Sequence, residues 1–316
     1  MKFIDGGVCA AQGFRAGGIH VGVKTRAAWK KDVALIVSDV ECAAAAVFTK
    51  NVVKAAPIHV DRRHLADGRA RAVIANSGNA NACAPNGEEN AERMCAAAAA
   101  AIGCAPEDVL VSSTGVIGQT LNVQVIENGI PELCRTLVHS AEGSDAAAHA
   151  IMTTDTVKKE TAVSFEVGGR EVRLGAIAKG SGMIHPNMAT MLCFLTTDAN
   201  IAPAVLDSAL RIAVKDSFNM VSIDGDTSTN DMTAILANGL AENDPIEEGT
   251  EAFDLFTETL RAIAIRLARM VAKDGEGATK LLVCKVTGAA SDADARTVAK
   301  SVICSSLLKA AMFGAD

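Results

Sequence analysis

The stretch that decides the fold runs from Thr161 to Thr197 and reads TAVSFEVGGREVRLGAIAKGSGMIHPNMATMLCFLTT. Its first half is a hairpin in outline: TAVSFEV at 161–167, a Gly168-Gly169 turn, then REVRLGAIA at 170–178. A Lys-Gly-Ser-Gly turn at 179–182 follows and leads through Pro186 into an apolar strand starting near Thr190. On spacing alone this is a glycine-rich loop before a core strand. Its G-x-G lacks the third glycine and the acidic follower of a dinucleotide fingerprint.

Outward from there, both structural periods recur. Strand-like runs are Val33–Val37, Arg71–Ala75, Val109–Ser112, Met191–Thr197 and Lys280–Val286. Helical spacing is clearest at 251–272, where Phe253, Phe256, Leu260, Ile263, Leu267 and Met270 recur three or four apart. Further helices are expected from about Glu88 to Ile102, near 203–216 behind Pro203, and from near Ser291 with Asp294 three residues on. Strands and helices mix without strict βαβ alternation, which predicts a layered α/β or α+β architecture. The polar stretches 139–150 (HSAEGSDAAAHA) and 241–250 (AENDPIEEGT) read as surface loops.

Composition narrows the function classes. Hydrophobic residues are 49% of the 316, so a sizeable core can be buried. Alanine fills 58 positions, while aromatics are limited to nine Phe and one Trp. A base-stacking surface is therefore not expected. The net charge of −7 and the lack of basic runs argue against nucleic acid and anionic membranes as partners. None of the nine cysteines forms a C-x-x-C pair, so they read as small buried hydrophobes in a reducing, cytoplasmic setting. No apolar run is long enough to span a bilayer, and the first residues carry no secretory h-region.

Several short segments have chemical potential. A threonine at a loop-to-strand junction, Thr190 after Ala189, can attack the preceding carbonyl and cut the chain by an N-to-O acyl shift. The new terminus would carry a hydroxyl nucleophile and an α-amine of pKa about 7.7–8.0 as its base. VSSTGVIG at 111–118 reads as a strand ending in a Thr-Gly turn, either an oxyanion-holding turn or an ordinary one. NSGNANAC at 76–83 reads as a binding loop or as tandem turns. SIDGDTSTND at 222–231 has the wrong glycine offset for an EF-hand and reads as a capped turn. KDGEGATK at 273–280 lacks Walker spacing, and its glutamate either meets a substrate ammonium or sits in solvent. His185 has no Ser or Cys nucleophile paired with it and reads as a hydrogen-bonding or surface residue.

Taken together, these segments resemble the signatures of the ornithine acetyltransferases, the bifunctional glutamate N-acetyltransferases of arginine biosynthesis. KGSGMIHPNMATML at 179–192 is similar to that family's cleavage-site motif. STGVIG, NSGNANAC, TTDT at 153–156, DGDTSTND, KDGEGATK and the N-terminal GF-x-AGGIHVGVK follow in similar form. The resemblance implies an α/β layered sandwich analogous to the N-terminal-nucleophile hydrolases. It implies self-cleavage into an α chain, 1–189, and a β chain from 190. It implies Thr190 as nucleophile, Thr114 and Gly115 as oxyanion hole, and Thr153, Lys179, Thr190 and Glu276 as substrate contacts.

The implied reaction is ping-pong transfer of acetyl from N2-acetyl-L-ornithine to L-glutamate, without metal or cofactor, by an α2β2 heterotetramer. Some members of the family also use acetyl-CoA as donor. In the family the chain continues past the stretch resembling SSLLKAAMFGAD, so 190–316 is expected to be a C-terminally incomplete β chain. The alternatives are a self-processing amidohydrolase or aminopeptidase, and an inactive truncated homologue.

Overall fold

The computed structural model describes residues 1–25, 29–185 and 191–315. Among them, nine strands form one sheet: β1 (Lys2–Ile4), β2 (Phe14–Ile19), β3 (Val33–Phe48), β4 (Arg69–Asn79), β5 (Val109–Val116), β6 (Lys159–Val167), β7 (Arg170–Lys179), β8 (Leu192–Thr197) and β9 (Met232–Ala237). The order is β1-β6-β7-β8-β9-β3-β4-β5, with β2 also paired to β3. The helices are α1 (Ala56–His64), α2 (Gly87–Ile102), α3 (Val123–Arg135), α4 (Ala141–Ile151), α5 (Pro203–Lys215), α6 (Glu251–Lys273), α7 (Asp292–Ile303) and α8 (Ser306–Gly314). Among the described residues no single helix is long and apolar enough to cross a membrane.

The long strand β3 joins the two halves of the sheet. Its first part, Val33–Ser38, pairs antiparallel with β2, and its last, Ala43–Phe48, pairs antiparallel with β9. A register shift between Val37 and Cys42 against β4 marks the bend between them. Strand periodicity then sorts the side chains into three cores. Leu35, Ile74 and Val111 face Met94 and Ala98 of α2 and Ile126 of α3. Cys193, Leu195 and Ile235 face α5 and the Phe256, Leu260, Ile263 and Leu267 stripe of α6. The alternate residues, Ala34, Ile36, Val73 and Ala75 from one half and Ile177, Phe194 and Ala234 from the other, share an inner core. The result is a layered α/β sandwich, as expected.

Local chemistry explains the elements that match their expectations. The β6–β7 hairpin pairs from Lys159↔Ala178 to Val167↔Arg170, and Gly168 and Gly169 turn it at φ +58° and +79°. The Thr250 hydroxyl caps α6 by accepting the Phe253 N–H at 3.2 Å. Ser291 caps α7 the same way, through the Asp294 N–H at 3.1 Å. The segment 241–250 is irregular, as expected.

Three expectations are corrected. Residues 139–150 are not a surface loop: Ala141–Ile151 form α4, whose Ala147, Ala148, Ala150 and Ile151 lie in the inner core. Its small side chains let it rest directly on the glycines of β2. The run Lys280–Val286 is not a strand, because no strand among the described residues pairs with it. Lys280, Leu281, Leu282, Val283 and Cys284 instead line a cavity of about 670 Å³ that residues of α7 and α8 also border. The cysteines are only partly the buried hydrophobes expected: Cys42, Cys95 and Cys193 are buried, five are half-buried, and Cys83 is exposed.

Candidate active site

β5 does not end in a Thr-Gly turn. It runs through Val116, and Gly115 pairs with Gly78 of the parallel strand β4. Gly115 stands at φ +134°, and a Cβ there would meet the Gly78 carbonyl carbon at 2.4 Å, so only glycine fits. The NSGNANAC segment is the frame for this pair rather than a free loop. Asn76 Nδ2 donates to the Asn79 carbonyl at 2.9 Å, and the Ser113 hydroxyl donates to Asn76 Oδ1 at 2.7 Å. From the DGDTSTND segment, Asn230 Nδ2 donates to the carbonyls of Ala80 and Ser113 at 2.6 and 2.8 Å. The capped-turn reading of that segment also holds at its start, where Asp224 Oδ1 accepts the N–H of Asp226 at 3.0 Å, and the same carboxylate accepts the N–H of Ile184 at 2.9 Å. His185 is a hydrogen-bonding residue, with Nδ1 3.0 Å from the Ser222 hydroxyl oxygen.

Lys179 closes β7, opposite Leu192 at the start of β8. Burial pushes its ammonium below the usual lysine range, against the pull of the Asp155 carboxylate. Its Nζ lies 3.4 Å from the Thr114 hydroxyl oxygen, which accepts and so keeps its own O–H to donate. Glu276 follows α6, and its side chain lies so close to Gly182 that a Cβ there would meet Oε1 at 2.3 Å. Thr153 is fixed by its N–H, which donates to Asp155 Oδ2 at 3.0 Å.

These side chains share one cavity of about 800 Å³, lined by Thr114, Gly115, Thr153, Lys179 and Glu276. Met191 and Leu192 line it too, so the described chain enters the cavity wall directly after residue 190. Ala189 and Thr190 themselves lie outside the described residues. Lys24 lines the same cavity, and burial lowers its ammonium to about 8. The end of β5, Lys24, Lys179 and the Glu276 carboxylate therefore surround one space that can take a zwitterionic amino acid. Among the described residues no group of three or more His, Cys, Asp or Glu is placed to hold a metal.

Two parts of the site are absent from the sequence reading. Asp231 lines the cavity and is buried, with no hydrogen-bond partner for Oδ2, and burial holds its carboxyl well above the usual range. Lys159 is wholly buried between Asp155 and Asp274. Both aspartates stand inside quoted motifs, but a lysine at strand position 159 gives no sign of burial until a second carboxylate arrives from the end of α6.

The ArgJ family model matches residues 15–316. The arginine biosynthesis bifunctional protein ArgJ of Symbiobacterium thermophilum is 52% identical, over 100% of this chain and 78% of that protein. The solved arginine biosynthesis bifunctional protein argJ of Bacillus halodurans is 46% identical with a TM-score of 0.55, covering 58% of this chain and 95% of that one. The ornithine acetyltransferase of Mycobacterium tuberculosis, solved in complex with ornithine, is 40% identical with a TM-score of 0.54, covering 58% of this chain and 96% of that one. The chain belongs to the ArgJ family.

Proposed function

We infer that this protein is a glutamate N-acetyltransferase and ornithine acetyltransferase, acting on N2-acetyl-L-ornithine and L-glutamate in arginine biosynthesis. The observation that carries this reading is the single cavity holding Thr114, Gly115, Thr153, Lys179 and Glu276 in a chain of the ArgJ family.

The mechanism we propose begins with self-cleavage. Thr190 Oγ1 attacks the Ala189 carbonyl carbon, the peptide C–N bond breaks, and the ester that forms is hydrolysed by water. The products are an α chain, 1–189, and a β chain that begins at Thr190. The two solved relatives from Bacillus halodurans and Mycobacterium tuberculosis are each a chain of about 60% of the length of this one, close to the share that residues 1–189 make up. That supports a cut at this position.

In the first half-reaction the freed α-amine of Thr190 takes the hydroxyl proton as Oγ1 attacks the acetyl carbonyl. The amide C–N bond breaks, the proton passes to the leaving nitrogen, and ornithine departs. The acetyl group remains as an ester on Thr190. L-Glutamate then attacks through its amine and leaves as N-acetyl-L-glutamate, restoring the hydroxyl. Thr114 and Gly115 hold the oxyanion in both steps, a contribution of about 3–4 kcal/mol per donor in comparable sites. Lys179 meets the substrate carboxylate and Glu276 the ammonium. No metal or cofactor takes part; acetyl-CoA serves at most as an alternative acetyl donor. An α2β2 assembly and a cytoplasmic location, beside the free amino-acid pools, complete the proposal.

The test is Thr190→Ala, followed by intact mass and by acetyl transfer with and without L-glutamate. The variant is expected to stay a single chain and to transfer nothing, while the parent yields two fragments meeting at Ala189/Thr190. An uncut parent with full transferase activity would overturn the mechanism. Release of free acetate with no acetylglutamate would make it an amidohydrolase instead.

A further inference from the structure

Three segments of the cavity wall converge on one buried ammonium. Lys159 Nζ donates to Asp155 Oδ1 at 2.7 Å and to Asp274 Oδ2 at 2.6 Å, with the lysine side chain fully buried. Both carboxylates also anchor backbone. Asp155 accepts the N–H of Gly180 at 2.7 Å and that of Thr153 at 3.0 Å. Asp274 accepts the N–H and the hydroxyl of Thr156. The Asp274 carbonyl accepts the Ser181 hydroxyl at 2.7 Å, and Ser181 in turn accepts the Glu276 N–H at 3.0 Å. One charge cluster therefore holds Thr153, Lys179 and Glu276 in register.

Charge counting gives the cluster a second role. Asp155 is the carboxylate that acts most strongly on the Lys179 ammonium. Left unpaired, it would draw that ammonium into a permanent ion pair, because a buried carboxylate takes the nearest cation. Lys159 and the Gly180 N–H already occupy Asp155 Oδ1, and the Thr153 N–H occupies Oδ2. Lys179 makes no ion pair among the described residues, and its contact is the long one to Thr114. We propose that Lys159 is a positioning residue that neutralises Asp155, so that the Lys179 ammonium stays available for the carboxylate of an amino-acid substrate. The proposal rests on Lys179 as the carboxylate contact and deepens that reading.

The experiment compares the parent with Lys159→Met and with Lys159→Met/Asp155→Asn, each as the full chain. The readouts are KM and kcat for N2-acetyl-L-ornithine and L-glutamate, melting temperature, and the titration of Lys179 in protein labelled with [ε-¹³C]lysine. Loss of a resonance in Lys179→Arg assigns it. The charged groups acting on Lys179 include Asp155, Lys159, Asp231 and Glu276 and the Lys24 ammonium of the same cavity, so the titration shift is read as a difference between variants. Lys159→Met is expected to raise KM about tenfold, with a smaller effect on kcat, and to move the Lys179 titration upward. The double variant, again charge-balanced, is expected to bring the Lys179 titration back toward the parent; KM is not its readout, because Asp155→Asn leaves one acceptor oxygen for the N–H groups of both Gly180 and Thr153.

A folded Lys159→Met with unchanged KM and unchanged Lys179 titration overturns the proposal. So does a folded double variant whose Lys179 titration stays above that of the parent. If Lys159→Met does not fold, the double variant alone decides. If the parent acetylates nothing, the function is misread, while the Lys179 titration still tests the role of Lys159.

Discussion

Gly115 and Gly78 face each other across the parallel β4–β5 pair, with no room for a Cβ between them. The two strands can approach this closely only because Gly115 lacks a side chain, while a Cβ on Gly78 would instead meet Lys24 Cγ at 2.9 Å; the approach fixes where the Gly115 backbone points. Gly115→Ala should therefore act on catalysis as well as stability. Its Cβ would push against the Gly78 carbonyl carbon and, at 2.6 Å, the Asn79 nitrogen, moving the backbone that we propose faces the oxyanion. The expected loss is about 10²–10³ in kcat, with KM changed far less. Steady-state kinetics on both substrates checks it; a kcat near that of the parent would remove Gly115 from the oxyanion hole.

How much of this was legible in the sequence depends on whether a residue's partner is near in sequence. The β6–β7 hairpin announces itself, because its period and its Gly168-Gly169 turn lie within one short window. The face of α6 is legible for the same reason. Thr114, Gly115, Thr153, Lys179 and Glu276 were found through motifs, and the structure brings them into one cavity. Lys159 was not found, since its meaning depends on Asp274, more than a hundred residues away. The bend of β3 was also hidden: only the short run Val33–Val37 reads as strand, while its second half is largely alanine, a weak strand former held in place by β9.

Asp231 gives a pH signature. Burial raises its folded-state pKa above the unfolded value near 3.9, so the unfolded state releases its proton more readily. The stability it contributes is full below the unfolded value and is lost as pH rises through the folded one. Asn cannot ionise and removes this dependence. Asp231→Asn should therefore gain melting temperature relative to the parent as pH rises from about 4 to about 8. The difference between the two proteins is the useful quantity, because Asp61 and Asp198 are raised by burial as well. A difference that stays flat with pH would mean Asp231 is not held protonated.

The contact of α4 with β2 links fold to site. A Cβ on Gly18 would meet the Ala146 carbonyl oxygen at 2.3 Å, and one on Gly143 would meet the Ala16 carbonyl oxygen at 2.5 Å. Helix and strand thus touch backbone to backbone, which explains why so polar and alanine-rich a segment is buried. α4 ends at Ile151, two residues before Thr153, and the Ser77 hydroxyl donates to its Ala150 carbonyl. Gly18→Ala should lift the helix, cost about 1–3 kcal/mol in overpacking, and carry Thr153 with it. Urea unfolding should show a lower midpoint at unchanged slope, and KM should rise more than kcat falls. Lost stability with normal KM would mean that Asp155, through the Thr153 N–H, holds Thr153 independently of the helix. Unchanged stability would mean that the close approach is not what seats α4.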